Sequence, residues 1–232
     1  MYKKVIILAA VVTASMMSVQ KSYGQQIGNG VLGIRAGVNF TKVTGDEDEN
    51  VTMKPGIQLG VVANFPMKIE KLTLQPGIIF SQQGAKWSDS ESVTYAGIKF
   101  ESETFTKMTL NYLQIPVNFL YRHELNGGNI LMLQAGPYLG YGIGGKLKQT
   151  ETKTGAGEKE SESTTETIKF GGDKNKHIFK AFDLGVGIGV GMLFKETFHV
   201  SLGYNLGLVN IGHDYSAKNT GFALTLTYML GQ

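Results

Sequence analysis

Residues 180–194 read Lys-Ala-Phe-Asp-Leu-Gly-Val-Gly-Ile-Gly-Val-Gly-Met-Leu-Phe, and a bulky apolar side chain stands at every second position from Phe182 to Phe194. The positions between them hold four glycines, with Asp183 at one end and Leu193 at the other. Successive side chains of a β-strand point to opposite faces, whereas the apolar positions of a helix recur every three or four residues. This stretch therefore predicts a strand with one bulky apolar face and one face of very small residues.

The same alternation recurs in seven further segments: 31–43, 54–68, 72–86, 112–121, 129–147, 197–210 and 221–230. The chain is therefore expected to form eight strands, and two architectures can hold them. A soluble barrel or sandwich turns the apolar faces inward to form a core. An outer-membrane barrel turns them outward against lipid and lines its interior with small and polar residues.

The composition of the less apolar faces and the lengths of the connections favour the membrane barrel. Besides glycine, these faces carry amide side chains: Gln58, Asn64, Gln75, Gln114, Asn118, Gln134 and Asn205. The connections alternate in length. Those near residues 69–71, 123–128 and 195–196 are short, whereas those near 44–53, 87–103, 148–176 and 212–218 are long. Outer-membrane barrels have short periplasmic turns and long extracellular loops.

Aromatic residues on the apolar faces collect near the strand ends. In this topology the periplasmic ends carry Phe65, Tyr121, Phe194, Phe198 and Tyr228, and the outer ends carry Phe40, Phe80, Tyr141, Phe182 and Phe222. Two aromatic girdles are typical of proteins that cross a lipid bilayer. We therefore predict an all-β fold, an eight-stranded antiparallel up-and-down transmembrane β-barrel in contact with outer-membrane lipids.

The N-terminus has the three parts of a secretory signal peptide. Lys3 and Lys4 precede a short apolar run, and small residues follow before Gln25. We expect a cleaved signal at 1–24 and a barrel domain at 25–232 in the outer membrane of a Gram-negative cell, with both termini in the periplasm.

The signal holds three of the 22 basic residues, so the basic residues that remain balance the 19 acidic ones. A neutral chain is not expected to bind nucleic acid, and a chain without cysteine has no disulfide or thiolate site.

Four segments, in order, resemble strands of the PorT-like family of Bacteroidetes outer-membrane β-barrel proteins. They are Asn111-Tyr112-Leu113-Gln114-Ile115-Pro116-Val117, Gly136-Pro137-Tyr138-Leu139-Gly140, Phe182-Asp183-Leu184-Gly185 and Gly203-Tyr204-Asn205-Leu206-Gly207-Leu208-Val209-Asn210-Ile211. The resemblance implies the fold and the location. The protein for which the family is named is linked to protein secretion and gliding, so the resemblance implies envelope or secretion-complex proteins as possible partners.

Two charged residues, Arg35 and Asp183, fall on the interior faces of the first and sixth predicted strands. Buried charges are costly unless they are paired, so we expect a lumenal ion pair or a shared polar network that includes Gln114 and Asn118. The glycines between 185 and 191 keep a period of two within a strand, which is unlike a nucleotide-binding loop. They are expected to face a crowded lumen in which larger side chains would collide.

The sequence predicts no catalytic, cofactor or metal site. The four histidines are too scattered for metal-ligand spacing, and no nucleophile motif surrounds Ser216, although His177, His213 and Asp214 would share its side of the membrane. The long loop near 146–177 is expected to be a mobile hairpin. The loop near 87–105 is a candidate contact surface; the alternative, which we favour, is that its Trp87 anchors the protein in the lipid interface.

We therefore expect a non-enzymatic envelope scaffold or interaction module. The alternatives are an accessory subunit of a secretion or gliding assembly, a narrow small-solute channel, and a lipid-modifying enzyme of the outer leaflet.

Overall fold

The computed structural model describes residues 30–45, 51–95, 98–125, 127–155 and 158–230. These ranges form nine strands: β1 (Val31–Gly45), β2 (Thr52–Pro66), β3 (Leu72–Tyr95), β4 (Ile98–Glu124), β5 (Ile130–Gly155), β6 (Glu158–Ile168), β7 (Phe182–Phe194), β8 (Phe198–Gly207) and β9 (Ala217–Met229). The expected signal peptide lies outside the described residues. No helix in the described ranges is both long enough and apolar enough to cross a bilayer.

Eight of the strands close into a ring. From β1 to β5, consecutive strands pair antiparallel. β5 then pairs with β7, β7 with β8, and β8 with β9. The pairing of β9 with β1 completes the ring, for example Arg35 opposite Thr227. β6 lies outside the ring and pairs only with β5 among the described strands. The predicted eight-stranded antiparallel barrel is therefore confirmed.

The barrel wall has its apolar residues on the outside. Large apolar side chains that are exposed follow one parity of every strand in the ring, as Leu184, Val186, Ile188 and Val190 do on β7. The buried side chains of the opposite parity include arginine, glutamine, asparagine, threonine and histidine. A water-soluble barrel would have the reverse distribution, because apolar surface is removed from water on folding. Lipid is the solvent that suits this wall.

The two ends of the barrel differ. At one end, which we call the turn end, β2–β3, β4–β5 and β7–β8 are joined by the predicted short connections. The opposite end, the loop end, carries the long ones. The sequence near 87–103, predicted as loop, is instead strand, because β3 extends to Tyr95 and β4 begins at Ile98. The hairpin expected near 146–177 is present as β5 and β6. Most residues of these extensions are polar on both faces, and their few apolar residues keep no regular alternation, so hydropathy does not mark them as strands.

Apolar clusters close both ends of the lumen. The turn-end cluster consists of Leu120, Ile130, Met132, Leu193 and Met229. The loop-end plug consists of Ala85, Met108, Leu110, Tyr112, Ile168, Phe179, Ile211 and Ala217. Segments 169–181 and 208–216 fold over the mouth, where Lys180 N donates to Ile211 O at 2.8 Å and Gly142 N to Ala181 O at 2.7 Å. The second half of the loop predicted as mobile therefore contributes to a packed plug.

Candidate functional site

Arg35 lies in a hydrogen-bonded cluster just above the turn-end cluster. Its Nη2 donates to Oε1 of Gln75 at 2.6 Å, and its Nε donates to Oγ1 of Thr227 at 3.0 Å. Gln75 in turn donates from Nε2 to Oδ1 of Asn64 at 2.7 Å. Neighbouring His199 is also buried, and its Nε2 has no hydrogen-bond partner. The guanidinium is thus held by neutral oxygens from two other strands.

Asp183 lies near the loop end and is fully buried. Its Oδ2 accepts a hydrogen bond from Nδ2 of Asn219 at 2.9 Å and a longer one from the Tyr138 hydroxyl at 3.5 Å. No ion pair joins it to Arg35 in the part of the chain that the structure describes. Of the two expected arrangements, the direct ion pair is therefore absent among the described residues, and Arg35 and Asp183 each lie in a hydrogen-bonded cluster.

The strand register explains this separation. Arg35 is opposite Thr227, which is opposite His199, which in turn is opposite Leu193 near the turn end of β7. Asp183 stands at the other end of that same strand. Sequence parity alone places both side chains in the lumen, but ring closure decides their heights along the barrel axis.

The remaining two residues predicted for the network, Gln114 and Asn118, line a cavity of about 60 Å³ together with Arg35. A second cavity, of about 20 Å³, lies beside Gln114 and Tyr138. Cavities of this size hold a few water molecules. The structure therefore brings three of the four predicted network residues to one cavity, and Asp183 adjoins it through Tyr138.

The glycines of β7 face parts of the lumen that leave little room for a larger side chain. A β-carbon at Gly187 would come within 2.6 Å of Oδ1 of Asn205, and one at Gly189 within 2.5 Å of Nε2 of Gln134. One at Gly191 would lie 2.5 Å from Nε2 of His199 and 2.6 Å from a backbone oxygen. Backbone oxygens oppose a larger side chain at Gly189 and Gly191, whereas at Gly187 the nearest atom is the end of a flexible side chain. The lumen is thus crowded at these glycines, as the sequence predicts.

The ten aromatic residues of the predicted girdles lie on the lipid-facing parity. Phe65 and Phe80 are half-buried and the other eight are exposed. Pairs from neighbouring strands touch at both ends, with ring centroids 5.3 Å apart for Tyr141 and Phe182 and also for Phe198 and Tyr228. Their anchoring in the lipid interface stays a prediction.

Beyond the barrel rim, four strands continue side by side as one sheet. We call this the outer sheet: residues 86–95 of β3, 98–107 of β4, 146–155 of β5 and 158–168 of β6. Its lumen-side face continues the interior of the barrel, and its lipid-side face continues the exterior. A cross-strand ladder of hydroxyls runs along the lipid-side face, where Thr150 contacts Ser163 at 2.9 Å and Thr152 contacts Ser161 at 3.3 Å.

The two faces of the outer sheet carry opposite charge. On the lumen-side face the described residues include the acids Asp89, Glu91, Glu151, Glu158, Glu160, Glu162 and Glu166, against the base Lys153. On the lipid-side face they include the bases Lys86, Lys99, Lys107, Lys146, Lys148 and Lys159, against the acids Glu101 and Glu103. Lys153 bridges Glu151 at 2.9 Å and, by that hydrogen bond and its charge, lowers the pKa of the Glu151 carboxyl.

Exposed apolar residues stand at the far end of the acidic face. Val93 and Phe100 are paired neighbours, and both are exposed, as is Tyr95. Phe100 also lies against Gly155 of β5. This combination of carboxylates and apolar side chains is the most distinctive surface of the described chain outside the lipid-facing band.

The side chains considered for catalysis are engaged in holding the loops together. Nε2 of His213 lies 3.0 Å from the carbonyl oxygen of Gly171, and Nδ1 of His177 lies 3.0 Å from that of Asp173. Asp214 forms an ion pair with Lys174 at 3.6 Å. Ser216 is half-buried just before β9. The described residues contain no group of three or more side chains able to hold a metal ion.

The sequence contained a signal for the charged faces that hydropathy does not register. Asp89 and Glu91 alternate with serines in β3, and Glu158, Glu160 and Glu162 alternate in β6. A period of two in charge, rather than in apolarity, identifies these segments as strands. The plug had no comparable signal, because its residues come from segments far apart in sequence.

Comparison with known proteins gives distant structural relatives and one family. The attachment invasion locus protein Ail of Yersinia pestis is 16% identical, with 87% of this chain and 99% of that chain covered and a TM-score of 0.41. Neisserial surface protein A is 10% identical, with coverage of 85% and 96% and a TM-score of 0.39. The translocator domain of the autotransporter NalP from Neisseria meningitidis is 9% identical, with coverage of 98% and 95% and a TM-score of 0.27. No curated protein matches the chain.

The family comparison is decisive because it spans most of the chain. Residues 23–212 match the model of the outer membrane protein beta-barrel domain, and the strands within that range form most of the closed ring. Together with the apolar exterior, this match fixes the location as the outer membrane of Gram-negative type. The chain belongs to the outer membrane protein beta-barrel domain family.

Proposed function

We propose that this protein is a non-enzymatic interaction module of the outer membrane, and that its working surface is the acidic face of the outer sheet. The observation that carries the proposal is the extension of three ring strands past the barrel rim, where β6 joins them in one continuous sheet. A scaffold of this kind holds a recognition surface rigidly. The loop end faces the cell exterior, and both termini lie in the periplasm.

The charge and apolarity of this face define its partner. Carboxylates surround exposed Val93, Tyr95 and Phe100, so the surface fits a protein segment that is basic and carries apolar side chains. Electrostatic complementarity of this kind raises association rates and selects partners. The chain needs no catalytic group for this role.

The interior supports a binding role over transport. Apolar clusters close the lumen at both ends, and the cavities between them are about 60 and 20 Å³. Eight-stranded barrels have interiors that side chains can fill. A planar-bilayer recording of the reconstituted chain is expected to show no discrete conductance steps, and such steps would favour the small-solute channel instead.

The resemblance to PorT-like proteins of Bacteroidetes supplies a second candidate, an accessory subunit of a secretion or gliding assembly. The outer sheet favours it in one respect, because β6 presents an edge that no described strand covers. An assembly subunit is expected to co-purify stoichiometrically with envelope proteins after crosslinking in cells. An interaction module that is not a subunit of such an assembly is expected to show no stoichiometric envelope partner.

A defined cationic probe tests the leading proposal. The folded full chain should bind an oligolysine peptide that carries leucines, and a variant combining Glu91→Gln, Glu160→Gln and Glu162→Gln should bind it at least tenfold more weakly. The matched control is Glu101→Gln with Glu103→Gln, on the other face of the same sheet, which should leave the affinity unchanged. Equal loss in both variants would show nonspecific charge attraction and reject the assigned surface.

Surface exposure is tested in cells. Thr164→Cys on the acidic face of β6 should react with a membrane-impermeant maleimide in intact cells, and Glu70→Cys at the turn end should react only after the outer membrane is permeabilised. The reverse pattern would place the outer sheet in the periplasm.

A further inference from the structure

Four lysines lie on the lipid-side face of the outer sheet where it leaves the barrel. Lys86 is paired with Lys107 on the adjacent strand, and Lys107 is paired with Lys148 on the next. Their side chains therefore stand in one row on one face. Lys146 lies on the same face of β5, one step closer to the barrel. We call these four residues the lysine belt.

One polar row separates the belt from the apolar, lipid-facing wall. Below the lysine belt on the same face, Nε2 of Gln82 donates to Oδ1 of Asn111 at 3.3 Å. The next row down is apolar and contains Phe80, Leu113 and Tyr141. At ~3.3 Å per residue, the row of Lys86 lies roughly 20 Å along the strand from the row of Phe80, and less along the membrane normal because the strands tilt. Lysine stems can lean back towards the interface, which brings the ammonium groups into the headgroup layer.

The belt carries positive charge that its own face does not neutralise. Like charges directly opposite each other destabilise a sheet. The ion pairs on the outer sheet that involve described residues use Lys99 and Lys153, not the belt. Hydroxyl side chains flank the belt instead, with Thr109 opposite Lys146 and Ser88 and Thr150 in the row above. Ammonium groups with neighbouring hydroxyls form a surface that suits phosphate oxygens.

We propose that the lysine belt binds the phosphate groups of glycolipid headgroups in the outer leaflet. The inference rests on the proposed function only in requiring that the loop end faces outward in the cell. The acidic lumen-side face of the same sheet would be repelled by that anionic layer. Binding at the belt therefore seats the outer sheet on the leaflet with its acidic face turned away and available to a partner.

The test measures lipid binding by the folded full chain in phosphatidylcholine nanodiscs. Wild type should retain bisphosphorylated lipid A through purification and should retain dephosphorylated lipid A poorly. The variant Lys86→Gln/Lys107→Gln/Lys148→Gln should bind the phosphorylated lipid on the order of a hundredfold more weakly, because each lysine near an anionic lipid surface contributes a severalfold factor. The matched control, Lys68→Gln/Lys71→Gln/Lys195→Gln at the turn end, should bind like wild type.

Heat-modifiable migration on gels verifies that each variant is folded before binding is compared. Equal retention of the phosphorylated lipid by wild type and the belt variant would overturn the proposal. So would displacement of the lipid by an equal concentration of inorganic phosphate, since that would indicate a general anion site. Lipid binding in nanodiscs does not depend on how the protein is oriented in a cell. A failure of the maleimide experiment would therefore count against the proposed function, whereas the lipid measurement alone would decide whether the belt binds phosphate.

Discussion

Arg35 on β1 donates a hydrogen bond of 2.6 Å to Gln75 on β3, past the intervening strand β2. The contact ties non-adjacent strands together through the lumen, and Arg35 also bonds Thr227 on β9. A single side chain thus links strands on both sides of the β1–β9 closure. Ring closure joins the two ends of the chain, so a bond across it stabilises the step with the largest loop entropy.

Replacing this arginine should therefore weaken the barrel. We predict that Arg35→Met lowers the free energy of unfolding by about 2–4 kcal/mol, because the buried oxygens of Gln75 and Thr227 lose their donor. Urea titration in detergent micelles, followed by heat-modifiable migration, measures the change. The control Lys68→Met removes an exposed cation at the turn end and should have little effect. An unchanged midpoint for Arg35→Met would show that the cluster is not structural.

Glycine at position 191 should be essential for packing in the lumen. A β-carbon there would lie 2.6 Å from the backbone oxygen of Val200 and 2.8 Å from Cβ of Ser201. Backbone cannot move aside as a flexible side chain can, so we predict that Gly191→Ala costs about 1–3 kcal/mol. Gly172 provides the control, because a β-carbon added there would have no heavy atom within 4 Å apart from its chain neighbours. Comparable folding yields for Gly191→Ala and Gly172→Ala would contradict the crowding argument.

Each strand reveals its own outward face in the sequence, which is why the ring and its orientation to lipid could be predicted. Lipid selects apolar residues at every second position independently of partners, as at Leu184 and Val186. The heights of Arg35 and Asp183 along the barrel axis depend instead on the register of several successive strand pairs. No local sequence pattern encodes the combined register of those pairs. The plug likewise depends on the fold bringing Ile168 and Ile211, which are distant in sequence, into one cluster.

The loop-end plug should behave as a small hydrophobic core. Ile211 is fully buried within it, and we predict that Ile211→Ala lowers the free energy of unfolding of the loop end by about 2–4 kcal/mol. Limited trypsin digestion should then cut faster at Lys174 and Lys176, in the segment that folds over the plug. The matched control is Ile178→Ala, since Ile178 is 46% exposed. If trypsin cut both variants at the same rate, the plug would not be what orders this segment.

The turn between β7 and β8 offers a site where a substitution should stabilise the protein. Lys195 and Glu196 have φ values of 48° and 56°, and Thr197 N donates to Phe194 O at 3.0 Å, which is the geometry of a type I′ turn. Side chains other than glycine and asparagine are strained there.

We predict that Lys195→Gly raises the free energy of unfolding by about 0.5 kcal/mol, because relief of the left-handed backbone outweighs the entropy that glycine gains in the unfolded chain. The same substitution at Lys68, in the β2–β3 turn, supplies only the entropy cost, since φ there is not positive. Paired urea titrations of the two variants separate these contributions. A gain at both positions would mean that loss of lysine charge at the turn end, rather than relief of backbone strain, is responsible.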